Sequence, residues 1–296
     1  MALNKETFRT RTLTAIVFVI VMMAGLLLNK WSFFILFSII HFGCWWEYLL
    51  LTEKIHHTTF HPYTKLGWML IGYGLMLRFV DHYSYQVAGY NLADNLSLPI
   101  SAAGFALLIF GVFRQKSIRL NSFGMAALGL LYISLSWGLM MYIYLNRVDR
   151  SHELLLPLMI ILCMWINDTM AYIVGSLIGK TPLSKISPKK TWEGTIGGII
   201  LSTALVGYLA YLLSEPPRFP AWVWFGLAFV AVVMGTLGDL LESKLKRMAG
   251  VKDSGNFMPG HGGFLDRFDS LVFAVPFAWV YIAFFMNPLL YMSGLA

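Results

Sequence analysis

Between Gly238 and Ser270 the chain reads GDLLESKLKRMAGVKDSGNFMPGHGGFLDRFDS, a stretch dense in the residue types that handle phosphate. Glu242, Lys244, Lys246, Arg247, Lys252, Asp253, Asp266, Arg267 and Asp269 all fall within residues 242–269, in a chain with only 22 Lys and Arg and 15 Asp and Glu. Asp239 extends the cluster backward. On a helix, Asp239, Glu242, Ser243 and Lys246 are spaced i, i+3, i+4 and i+7 and share one stripe, while Lys244 points elsewhere. Asp266 and Asp269 repeat the i, i+3 spacing after His261-Gly262-Gly263, where two glycines permit close backbone approach to a ligand. The spacing predicts three carboxylates, Asp239, Asp266 and Asp269, converging among Lys, Arg and His. Carboxylate oxygens suit Mg2+, which shares its remaining positions with water and phosphate oxygens. Lys and Arg neutralise the other phosphates. Nucleotidyl transfer to a phosphate asks for little more, because that nucleophile is already ionised and catalysis reduces to positioning and charge stabilisation. The bland alternative is a solvated basic loop in which Asp266 caps a helix.

Two upstream segments add to this chemistry. Ser187-Pro188-Lys189-Lys190-Thr191-Trp192-Glu193-Gly194 sets two lysines and a hydroxyl ahead of an apolar run, and the N-terminus of a helix favours anions. Asp168, in Trp165-Ile166-Asn167-Asp168-Thr169, falls inside an apolar block, where a carboxylate is costly and usually functional. Its expected neighbours are the metal or a lysine of the 187–194 loop. Asp168, Ser187, Lys189, Lys190, Thr191, Glu193 and Ser243 form the candidate substrate-binding set. Gly175-x3-Gly179-Lys180-Thr181 imitates a phosphate-binding loop but is one residue short and runs into Pro182. His56, His57 and His61 sit in a short polar loop with no carboxylate face to complete a metal site.

The elements that must position these residues are membrane helices. The chain is 58% hydrophobic and 12% charged, with a mean hydropathy of +0.67; soluble domains carry about 25% charged residues. The apolar residues come in blocks suited to the ~30 Å hydrocarbon core, and lipid offers backbone amides no partner, so each block must be helical. Nine spans are expected, near residues 13–28, 31–51, 66–80, 98–113, 123–145, 154–178, 195–213, 221–241 and 270–291, the third and fourth being short. The fold class is all-α, a polytopic membrane protein read as one domain over 1–296, with the signature at 239–269 and a supporting loop at 179–194. A cytoplasmic N-terminus puts residues 1–12, 52–65, 114–122, 179–194 and 242–269 inside, with 17 of the 22 Lys and Arg. The net charge of +7 then reports cytoplasmic loops and anionic head groups, with no nucleic-acid role. Lys5, Arg9 and Arg11 precede an uncleaved first helix. Cys44 and Cys163 read as packing residues. Ala171, Gly175 and Gly179, and Gly194, Gly198 and Ser202, form small-residue faces that let helices approach closely.

The stretch Ser243-x-Leu245-Lys246-Arg247-x4-Lys252-Asp253-x-Gly255…Pro259-x-His261-Gly262-Gly263-x-x-Asp266-Arg267-x-Asp269 closely resembles the signature of the phosphatidate cytidylyltransferases, or CDP-diacylglycerol synthases. Met258 stands where that family more often has Ile, Leu or Phe. The resemblance implies that CTP and phosphatidate give CDP-diacylglycerol and pyrophosphate, with Asp239, Asp266 and Asp269 at a Mg2+ site and K+ as a second cation. It implies phosphate contacts for Lys246, Arg247, Lys252, His261 and Arg267. On that reading Asp266→Asn abolishes turnover and leaves folding intact. The implied location is the cell inner (cytoplasmic) membrane with the active site on the cytoplasmic side; a homodimer is compatible with it. Rival readings are a CTP-dependent enzyme acting on another lipid phosphate and a transporter with a charged cytoplasmic loop.

Overall fold

The computed structural model describes residues 5–81, 85–87, 89–115, 119–145, 154–184, 186–214, 219–257 and 262–288. Its helices are α1 (Lys5–Leu27), α2 (Lys30–His56), α3 (Pro62–Leu77), α4 (Ser97–Arg114), α5 (Leu120–Gly129), α6 (Ser136–Leu145), α7 (Leu155–Ile178), α8 (Trp192–Leu213), α9 (Ala221–Met248) and α10 (Leu265–Tyr281). A two-residue antiparallel pairing, Gln86–Val87 with Tyr90–Asn91, is the only sheet among the described residues. The chain is an all-α integral membrane protein. Among the described residues, seven helical rods are long and apolar enough to cross a bilayer. The apolar part of α1, Leu13–Leu27, and the 16-residue α3 are shorter; at 1.5 Å per residue α3 spans only about 24 Å.

The span expected at 98–113 is longer than its apolar run. A π-helical turn, Leu92–Leu96, precedes α4, and the rod extends over Leu92–Arg114. The Asn91 side chain starts it by accepting the N–H groups of Ala93 (2.8 Å) and Asp94 (3.4 Å). A π-helical stretch, Leu130–Leu135, likewise joins α5 to α6 in one rod.

Two compact units can be distinguished within the membrane domain: Met1–Met141 with Leu245–Phe268, and Tyr142–Lys244 with Asp269–Ala296. In the first unit α2 is the organising helix. Asn29 and Ser32 close its N-terminus in a reciprocal capping box. Trp45 Nε1 donates to Ser134 Oγ at 2.8 Å, and His41 Nε2 lies 3.0 Å from the same hydroxyl, which docks the π-helical stretch on α2. One turn apart on α2, Gly43 and Glu47 face the start of α10: a Cβ on Gly43 would lie 2.5 Å from the Phe264 ring. In the second unit α7 and α8 cross through their small-residue faces. A Cβ on Gly194 would lie 2.7 Å from the Ala171 carbonyl oxygen and 2.9 Å from Gly175 Cα, so only glycine permits the crossing. The α9 backbone at Gly238 is equally close to α10, 2.7 Å from the Asp269 carbonyl oxygen by the same measure.

Candidate active site

The signature residues of the first unit gather around two carboxylates. Lys246 Nζ donates to Asp266 Oδ1 at 2.7 Å, with both side chains largely buried. Asp266 Oδ2 accepts the N–H groups of Ser254 and Gly263, each at 2.8 Å. Ser254 Oγ lies 2.9 Å from that oxygen and 2.7 Å from Glu47 Oε2, so its single proton serves one carboxylate at a time. Glu47, only 4% exposed, also accepts the N–H groups of Phe264 and Leu265 at 2.9 Å each. The first N–H groups of α10 thus find a carboxylate from α2, which satisfies helix-end donors and complements the helix dipole. Asp266 stands ahead of the apolar run that begins at Ser270. The Gly263 and Ser254 N–H groups and the Lys246 ammonium are all donors, the arrangement that suits a carboxylate as acceptor.

The paired glycines serve this network. Gly262 has φ +88°, a conformation that L side chains rarely adopt. A Cβ on either Gly255 or Gly263 would collide with the Glu47 carboxylate. The close approach expected for a ligand is here an approach to Glu47. Asp266 is likewise tied to the fold, which conflicts with the expectation that Asp266→Asn leaves folding intact. Arg247 ends α9, donating to the Val251 carbonyl at 3.3 Å. Arg247, Lys252 and Arg267 are exposed. His261 lies outside the described residues.

The second unit holds the other candidates. The loop after α7 folds back on itself: Leu183 N–H donates to Lys190 O (2.7 Å) and Trp192 N–H to Thr181 O (2.9 Å). Glu193 fastens it, accepting from the Lys180 N–H (3.1 Å), the Thr181 N–H (3.1 Å) and the Thr181 hydroxyl (2.8 Å). Thr191 is the N-cap of α8 and accepts the Gly194 N–H at 3.2 Å. This geometry presents Lys189, Lys190 and Thr191 to a cavity of about 350 Å³, also lined by Asp168, Asn167 and Thr236. Asp168 and the lysine loop thus line one cavity. Lys190 forms an ion pair with Asp239, and Ser243 Oγ lies 3.5 Å from Asp239 Oδ1. Ser187 contributes to the loop itself, through its carbonyl to the Lys190 N–H at 3.1 Å. Asp269 Oδ1 accepts the Ser270 N–H at 2.6 Å. In neither unit, among the described residues, do three His, Cys, Asp or Glu side chains form one metal-sized group.

Four polar residues in these two centres escaped the sequence reading: Glu47, Ser254, Asn167 and Thr236. Glu47 carried a signal, as a lone carboxylate in the apolar block Trp45-Trp46-Glu47-Tyr48-Leu49. Asn167 is buried, and its Oδ1 has no hydrogen-bond partner among the described residues.

A match to the profile of the Cytidylyltransferase family runs over residues 9–285, nearly the whole chain. The chain belongs to the cytidylyltransferase family. It is a membrane nucleotidyltransferase. Similar proteins include the phosphatidate cytidylyltransferase of Staphylococcus saprophyticus, 30% identical over 274 residues that cover 90% of this chain and 96% of the relative. That of Staphylococcus aureus is 31% identical over 269 residues, with the same two coverages. A chloroplastic phosphatidate cytidylyltransferase of Arabidopsis thaliana is 48% identical over 116 residues, 39% of this chain and 29% of the relative.

Proposed function

We infer that this chain is a phosphatidate cytidylyltransferase, joining CTP to phosphatidate to give CDP-diacylglycerol and pyrophosphate at the cytoplasmic face of the inner membrane. Membership of the family gives the reaction class. The observation that carries the siting is the cavity of the second unit, where Asp168, Lys189, Lys190 and Thr191 line one space and Lys190 pairs with Asp239. Its roughly 350 Å³ falls within the ~300–1,000 Å³ range of small-molecule sites. The lopsided distribution of Lys and Arg supports the cytoplasmic assignment.

In the reaction a phosphate oxygen of phosphatidate attacks the α-phosphorus of CTP. The bond from that phosphorus to the oxygen bridging it to the β-phosphate breaks, and pyrophosphate leaves with the electron pair. The nucleophile is ionised at neutral pH, so no side chain has to take a proton from it. Lys189 and Lys190 hold triphosphate oxygens as point charges, and the Thr191 hydroxyl donates to one of them. Exposed Arg247, Lys252 and Arg267 contribute positive charge that draws both anionic substrates.

The donor set fits a hard cation. Asp239 already faces an ammonium, and Asn167 supplies a buried amide oxygen with no hydrogen-bond partner among the described residues. Mg2+ takes one or two carboxylates together with substrate phosphates, so a cage of three is not required. We assign Mg2+ to Asp239 and Asp269, carried by two helices that touch at Gly238, and place a second cation such as K+ near Asn167 and Asp168. Mg2+, when bound, offsets triphosphate charge. Asp266, grouped with the metal carboxylates by spacing and by the family resemblance, here organises the signature loop.

Purified protein incubated with Mg2+, CTP and phosphatidate in detergent is expected to release pyrophosphate in step with CDP-diacylglycerol. Release with another lipid phosphate but not with phosphatidate would reassign the substrate. No release under any lipid presentation would overturn the assignment of phosphatidate as substrate.

A further inference from the structure

We propose that the cleft formed by the α2–α3 loop with Arg114, Gln115 and Arg119 is an anion site for the phosphate of a membrane phospholipid headgroup. This cleft of about 680 Å³ lies in the first unit and is lined by none of the residues of the nucleotide cavity. Its polar wall includes Lys54, His57, His61, Arg114 and Arg119, against a single carboxylate, Glu53. That carboxylate is already neutralised: Glu53 Oε2 accepts from Lys65 Nζ at 2.8 Å, and Oε1 from the Phe60 N–H at 2.5 Å. Among the described residues no carboxylate pairs with Lys54, Arg114 or Arg119, so three permanent positive charges remain.

That charge decides the ligand class. Two histidines beside a cavity invite a metal, but three neighbouring cations repel one and draw an anion. Phosphate oxygens suit the site because Arg and Lys donate charge-assisted hydrogen bonds to them. The walls are fixed: Arg119 Nη1 donates to the His56 carbonyl at 2.6 Å and Gln115 Nε2 to the Thr59 carbonyl at 3.2 Å. The Arg114 guanidinium packs over the Phe110 ring at 5.0 Å. His57, at the C-cap of α2, has φ +47°, the one positive value among described non-glycine residues, and turns the chain around the cleft.

Placement favours a lipid over free phosphate. The cleft sits at the ends of α2 and α4 and the start of α5, parts of three membrane-crossing rods. Leu50, Phe60 and Pro62 add an apolar side. Basic pockets at helix ends on the cytoplasmic side are suited to anionic head groups.

The test uses the full-length protein in neutral detergent, with retention of phosphatidylglycerol followed by native mass spectrometry. A phosphodiester lipid is chosen because it cannot act as the nucleophile of the proposed reaction. Lys54→Gln combined with Arg114→Gln is expected to weaken phosphatidylglycerol binding about tenfold or more, since each basic residue near an anionic lipid contributes several-fold. Lys54→Arg with Arg114→Lys retains binding, as does Lys30→Gln, a control at the other end of α2. Binding is read without turnover, so this result stands apart from whether pyrophosphate is released. Unchanged binding in the Gln pair overturns the proposal, as does an equal loss in Lys30→Gln. Displacement of the lipid by millimolar inorganic phosphate, with an equal thermal shift from phosphate alone, overturns the lipid assignment in favour of free phosphate.

Discussion

Lys190 and Asp239 are the side chains on which the proposed chemistry leans most directly. Lys190→Gln removes the ammonium while keeping most of the stem, and Asp239→Asn removes the opposing charge. Each is expected to lower the rate of pyrophosphate release at saturating CTP by about 100-fold or more, the usual cost of losing one preorganised electrostatic contact. Rates within a few-fold of the parent would take the pair out of the reaction. Glu47 belongs to a different kind of site. Glu47→Ala leaves the Phe264 and Leu265 N–H groups without their acceptor, and buried unsatisfied donors cost about 1–3 kcal/mol each. A fall of several degrees in the thermal midpoint in detergent is the expected outcome; an unchanged midpoint would mean water replaces the carboxylate freely. Asp266→Asn removes the negative charge that faces the Lys246 ammonium in a largely buried pair, and losing one charge of such a pair is destabilising. The midpoint should fall while the Mg2+ concentration for half-maximal activity of the folded fraction stays constant. A large rise in that concentration would return Asp266 to the metal. These assignments show which part of the candidate site was legible. Lys190 and Asp168 announced themselves by type and by position near a helix start and inside an apolar block. Ser254 did not, because serine in a polar loop is commonplace and its partner Glu47 is 207 residues away.

Helices do the positioning, and glycines set how closely they cross. The α7–α8 contact holds the loop that carries Lys189 and Lys190, so its geometry should be felt in activity. Gly194→Val puts a branched side chain where even a Cβ would lie 2.7 Å from a backbone carbonyl oxygen. Both stability and turnover should drop, because the clash outweighs the fraction of a kcal/mol that replacing a helical glycine gains by propensity. Gly124→Ala, in α5 with nothing within 4 Å of the added Cβ, is the matched control and should be neutral or slightly stabilising in the same melting assay. Small-residue spacing foretold the α7–α8 crossing. It was silent on Gly43, Gly255 and Gly263, which each stand without that spacing and accommodate a side chain from a distant segment.

At the scale of the whole chain, topology offers a clean measurement because both native cysteines, Cys44 and Cys163, are buried. A cysteine introduced for exposed Lys189 should react with a membrane-impermeant maleimide only from the cytoplasmic side, in inverted vesicles or after permeabilisation. Labelling of intact cells would reverse the proposed orientation. Much of this level was written in composition. Long apolar blocks in a chain with 12% charge leave the backbone no choice but helices, and the clustering of Lys and Arg marks one side. The signature at 239–269 named the reaction class for a related reason: residue types that bind phosphate must be present wherever phosphate is handled. The tertiary structure decided which of those residues reach outward and which hold the loop together. Lys246 and Asp266 turn to each other, and Asp266 to Ser254 and, through it, to Glu47, while Lys190 meets Asp239. Spacing along a helix specifies a face, but whether that face meets a ligand or another segment depends on contacts hundreds of residues apart, and no local pattern encodes them.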